Sequence, residues 1–97
     1  MSSLKPTLMT PYQLLDTQIN ELEGRLDNLN AELTTVIKTG AELASSIEKL
    51  ENKNASRELI ERRKRQLDDN LSQRNNLMKK LKSLESQIGR KRKEKGT

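Results

Sequence analysis

Charge is the chemistry this sequence offers. It holds 19 Lys and Arg against 14 Asp and Glu, with no His and no Cys. Without His there is no side chain whose ordinary pKa suits a general base near neutrality. Without Cys there is no thiolate to act as a nucleophile or soft metal ligand, and no disulfide framework of the kind secreted small domains use. The carboxylates could do acid–base work only in a pocket that shifts their pKa by burial. With 31% hydrophobic residues and Tyr12 as the sole aromatic, the chain has too little bulk to enclose such a pocket. A catalytic role, a cofactor, a metal and a small-molecule substrate are therefore not expected.

Two basic clusters stand out. Arg62, Arg63, Lys64 and Arg65 are consecutive, so on a helix they point around most of its circumference and do not form one patch. Arg90, Lys91, Arg92, Lys93 and Lys95 form a second cluster near the C-terminal end, of the kind read as a nuclear-import signal or a weak phosphate-binding arm. With no aromatic residue nearby to stack on bases, any nucleic-acid contact there is expected to be weak and salt-sensitive. This cluster favours a nuclear over a cytoplasmic intracellular location. No run of about 18 apolar residues marks a membrane span, and residues 1–9 have no continuous apolar stretch of a signal peptide.

The elements that carry these charges follow from periodicity. So polar a composition fits either disorder or extended helices that bury one narrow stripe. Residues 1–9 lack periodicity and read as a flexible lead. Thr10 can cap a helix, Pro11 suits its first position and Gln13 completes a capping box, with Met9 and Leu14 at the hydrophobic-staple positions. From there apolar residues recur at alternating steps of three and four: Tyr12, Leu15, Ile19, Leu22, Leu26, Leu29, Leu33, Val36, Leu43, Ile47 and Leu50. Such a seam over residues 10–51 is a coiled-coil stripe that an isolated helix cannot bury. Gly40 interrupts it and reads as a weak spot, costing about 1 kcal/mol of helix propensity, in preference to a point of close approach. Ile37 and Ala44 lie beside the stripe, with Ala41 near them, and widen it as a three- or four-helix bundle would use.

After Leu50 the phase breaks. A second register fits Ile60, Leu67, Leu77, Leu81, Leu84 and Ile88 and places Arg63, Asn70 and Arg74 in core positions. Residues 52–56 lie between, and Asn52, Asn54 and Ser56 favour caps and turns. The lack of Gly or Pro there favours one continuous or kinked helix, about 115–120 Å long to Gln87 at 1.5 Å per residue. The competing arrangement is an antiparallel hairpin. Residues 1–48 hold three basic and seven acidic residues and residues 49–97 hold sixteen basic and seven acidic, so folding back would pair opposite charges. The second helix is expected to cover residues 57–89 and to stop at Gly89 in a left-handed cap, leaving 90–97 as a basic tail.

The fold class is thus all-α: a long coiled-coil helix or an antiparallel hairpin, within a multi-helix assembly. The expected function is a non-catalytic coiled-coil scaffold or interaction subunit of a larger intracellular complex. Its partners are helices of other coiled-coil proteins, bound through Tyr12, Leu15, Ile19, Leu22, Leu26, Leu29, Leu33, Val36, Ile37, Leu43, Ile47 and Leu50. Flanking residues such as Gln18, Glu23, Arg25 and Asn30 form no complementary set for a parallel homodimer, which favours a hetero-oligomer. A second reading starts from Asn54, Ala55, Ser56 and Arg57 ahead of the basic run and the second register. This arrangement loosely resembles a basic leucine zipper, although Glu58 and Glu61 interrupt the basic stretch. The resemblance implies a dimeric nucleic-acid-binding protein. A cytoplasmic tethering or cytoskeletal coiled coil is the third reading.

Overall fold

In the computed structural model, which describes residues 10–96, the chain forms two long helices joined by a tight turn. Helix α1 spans Pro11–Asn52 and helix α2 spans Arg57–Gly96. They lie side by side and antiparallel in a rod about 65 Å long. The hairpin holds, and the single continuous helix favoured by the sequence does not.

Helix α1 starts where its capping chemistry dictates. The Gln13 N–H donates to Thr10 Oγ1 at 3.1 Å, and the Thr10 N–H donates to Gln13 Oε1 at 3.0 Å. This reciprocal box satisfies amides that have no partner inside the helix. Met9, the other half of the expected staple, and the rest of the expected flexible lead lie outside the described residues, as does Thr97.

The turn is built without glycine or proline. Asn54 takes φ 54, the only positive φ among the described non-glycine residues. The Asn54 N–H donates to the Glu51 carbonyl at 3.2 Å, and the Ala55 N–H donates to the Leu50 carbonyl at 3.0 Å. These two bonds and a left-handed residue make a Schellman ending, in which Asn replaces the more common Gly. Ser56 then caps α2, its Oγ accepting from the Leu59 N–H at 3.2 Å. Asn54 and Ser56 thus each serve one side of the turn.

Helix α2 runs on past its expected end. Residues 90–96 continue the helix, and no described glycine has a positive φ, so Gly89 is an interior residue. Two cross-helix ion pairs hold this last stretch against α1: Arg92 with Glu23 at 3.0 Å, and Lys95 with Asp16. Lysine and arginine are also good helix formers, and positive charge suits a helix C-terminus.

Candidate interaction surface

The two registers read from the sequence are the two faces that meet. On α1 the positions turned inward are Leu15, Ile19, Leu22, Leu26, Leu29, Leu33, Val36, Gly40, Leu43, Ile47 and Leu50. On α2 they are Ile60, Arg63, Leu67, Asn70, Arg74, Leu77, Leu81, Leu84, Ile88 and Lys91. Ile19, Leu22, Val36, Ile47, Leu77, Leu81, Leu84 and Ile88 are buried, each stabilising the pair by on the order of 1.5–3 kcal/mol. A cluster of Leu22, Leu84 and Ile88, joined by Leu26 and Leu29, anchors the open end.

The stripe assigned to partner helices is therefore covered, in large part, by α2 of the same chain. The sequence alone calls for a partner, and the turn at Asn54 supplies one. Tyr12 is the exception at 56% exposed, because its opposite place in the register falls beyond Gly96. Ile37, beside the stripe, is 48% exposed.

Gly40 is not a weak spot. A methyl group placed on it would lie 2.5 Å from Asn70 Oδ1, so the missing side chain is what admits Asn70. The buried Asn70 amide then donates from Nδ2 to the Val36 backbone carbonyl at 3.0 Å. Asn70 is the only buried polar residue among those described, and its reach across the seam ties the two helices at one register. Arg63 and Arg74 flank it in the sequence of core positions. Each is half-buried, with its Nε enclosed and reached by no protein acceptor. The polar core residues Arg63, Asn70 and Arg74 are thus set among apolar ones in the centre and turn-side part of the seam, and the Leu22–Leu84–Ile88 cluster lies towards the open end.

Along one edge of the rod, both helices present the residue that follows a core position. Glu51 meets Lys64 at 3.9 Å there. One heptad back on α1 and one forward on α2 comes Ala44 beside Leu71, then Ile37 beside Met78, then Asn30 beside Glu85. The next step is Glu23 with Arg92, the second ion pair on this edge. Ile37, Leu71 and Met78 are 48%, 39% and 50% exposed, and Ala44 is exposed too. An apolar strip between two ion pairs is thus left uncovered. The opposite edge is polar along most of its length, with Gln18, Arg25, Glu32, Thr39 and Ser46 on α1 and Gln66, Gln73, Lys80 and Gln87 on α2; its one large apolar residue, Leu59 beside the turn, is half-buried.

No known protein family, curated protein or solved structure matches this chain.

The basic residues scatter. Arg62 and Arg65 face solvent, Arg63 turns into the seam and bonds Gln66 Oε1 at 3.1 Å, and Lys64 pairs with Glu51. Of the second cluster, Arg90 and Lys93 are exposed, Lys91 takes a half-buried core position, and Arg92 and Lys95 pair with carboxylates of α1. Residues 54–57, which carry the resemblance to a basic zipper, form the turn and the first residue of α2. The continuous basic helix that the resemblance implies is not formed. Among the described residues no group of three or more acidic side chains is placed to hold a metal, and no helix is long and apolar enough to cross a membrane. The surface depressions are open troughs, one of them along Lys38, Ala41, Ser45, Lys49 and Lys53 of α1.

The signal for the exposed strip was present in the sequence as the extra width at Ile37 and Ala44. Leu71 and Met78 give no such signal in the sequence, because their place on the same edge depends on the turn.

Proposed function

We propose that this chain is a non-catalytic coiled-coil interaction subunit, a two-helix rod that helps to build a larger protein assembly. The reading rests on one observation. The seam is closed within the chain, yet Ile37, Leu71 and Met78 stay exposed in a line along one edge. Exposed apolar residues aligned in this way, with polar residues at both ends, mark a contact surface for other helices. Docking is thus assigned to the edge of the hairpin, and the residues of the seam support it by holding the rod straight. The preference for a heteromer came from flanking charges of a seam open to a second chain, and it does not carry over to a seam closed by α2. The proposal includes a nuclear location, supported by the basic composition of the C-terminal turns of α2, where Arg90 and Lys93 are exposed.

Affinity purification of the tagged full chain from its native cells tests this reading. Ile37→Asp with Met78→Asp is expected to leave helicity unchanged by circular dichroism and to remove the co-purifying proteins. Retention of those proteins would contradict it.

A second reading, nucleic-acid binding, draws on the net positive charge of α2, where residues 57–96 hold fourteen basic and six acidic residues. Such binding would be electrostatic and would fall steeply with salt.

A further inference from the structure

We propose that the exposed edge is the docking surface for a second copy of this chain, which packs same-ended to make an antiparallel four-helix bundle. The inference rests on the reading of the hairpin as an interaction subunit and names its first partner. The pattern of the edge is self-complementary. When a second hairpin is turned by half a turn about the long axis and laid edge to edge, its α2 stands opposite the first copy's α1 at the same height. The two opposed helices run in opposite directions, so all four neighbouring pairs in the bundle are antiparallel, as in up-down-up-down bundles. Residues that are side by side in one hairpin become face to face between copies.

Four of the five levels of the edge are matched by this operation. Ile37 meets Met78 of the second copy, and Ala44 meets its Leu71, which covers three of the five large apolar residues exposed among those described; Tyr12 and Leu14, near the start of α1, lie off this strip. At the turn end Glu51 meets Lys64 of the second copy, and towards the open end Glu23 meets its Arg92. Each of these charges already has an opposite partner in its own chain. In the bundle each carboxylate then sits between two cations, and each cation between two carboxylates. At the remaining level Asn30 meets Glu85, so no like charges face each other.

The opposite-ended arrangement lacks this match. The strip lies towards the turn, with Ile37 and Ala44 in the second half of Pro11–Asn52. Centring two inverted copies on it would set Lys64 opposite Glu85 but Glu51 opposite Asn30, and would carry Glu23 and Arg92 past the partner's turn, so that one of the two ion-pair levels has nothing across from it. The width read from Ile37 and Ala44 in the sequence is the width that a four-helix bundle uses.

Sedimentation equilibrium of the full chain over a concentration series, with two cysteine variants, tests the proposal. The expected species has twice the chain mass of 11.1 kDa. Ile37→Asp with Met78→Asp, at exposed positions that leave each hairpin folded, should raise the dissociation constant roughly 100-fold or more with helicity unchanged. The chain has no Cys of its own, so Glu51→Cys mixed with Lys64→Cys should form a mixed disulfide faster than either forms one with itself. A monomer at every concentration would overturn the second copy as partner. The interaction-subunit reading would then stand or fall separately, on whether the same two substitutions remove the native co-purifying proteins. A dimer that ignores the two substitutions, or that cross-links Glu51→Cys chiefly to itself, would also overturn it.

Discussion

Replacing Gly40 with alanine isolates what holds the register of the hairpin. In a helix interior the exchange alone gains about 1 kcal/mol, because alanine restricts the unfolded chain and favours helix. Here the new methyl would stand 2.5 Å from Asn70 Oδ1, so the Asn70 amide must shift, and the largest effect is expected if that shift breaks its bond. The bond at stake is the 3.0 Å one from Asn70 Nδ2 to the Val36 carbonyl. A buried amide left without a partner costs about 1–3 kcal/mol. The net effect of Gly40→Ala should be a loss of about 0–2 kcal/mol. In an Asn70→Ala background there is no side chain to displace, and Gly40→Ala should instead stabilise by about 1 kcal/mol. The coupling between the two sites is therefore about 1–3 kcal/mol, well beyond the 0.3–0.5 kcal/mol within which independent sites add. Urea unfolding of the four proteins, followed by circular dichroism at one fixed protein concentration, measures it. If Gly40→Ala has the same effect in both backgrounds, the close approach of Asn70 does not set the register and the reasoning fails.

Three further outcomes follow from the same geometry. Asn54→Ala puts a Cβ-bearing residue without a turn-forming side chain into the left-handed position and should cost about 1–2 kcal/mol, whereas Asn54→Gly should be neutral or stabilising; thermal unfolding separates the two. Leu26→Asp with Leu33→Asp places two carboxylates in the apolar half of the seam and should remove most of the helical signal in circular dichroism, since breaking the helix pair leaves neither helix with its apolar face covered. Binding to duplex DNA, measured by fluorescence anisotropy, should weaken steeply between low and moderate salt and show no preference for sequence; tight binding that persists in salt would favour the nucleic-acid reading.

The core register was legible because it depends only on local spacing. Ile60, Leu67, Leu77, Leu81, Leu84 and Ile88 fall on the inner face of α2, and so do Arg63, Asn70 and Arg74, as the shifted register requires. The Thr10–Gln13 box was legible for the same reason. The choice between hairpin and continuous helix was not, because the turn depends on one Asn in a left-handed conformation, which Asn adopts less readily than Gly. The role of Gly40 is not legible in the sequence, because it exists only once α2 folds back and brings Asn70 opposite. The stop expected at Gly89 failed because Glu23 and Asp16, distant in sequence, hold Arg92 and Lys95 in helix. The candidate surface was half legible: Ile37 and Ala44 signalled extra width, but Leu71 and Met78 join them only through the turn.

The central claim is that docking belongs to the outer edge of a closed hairpin. Amide hydrogen exchange of the chain within its native assembly, compared residue by residue with Ile37→Asp/Met78→Asp, tests it most directly. The seam around Leu22, Leu84 and Ile88 is expected to stay protected in both, and the variant no longer to enter the assembly. A variant that assembles normally, or a native assembly in which α1 and α2 have separated to place the seam on other helices, would contradict it.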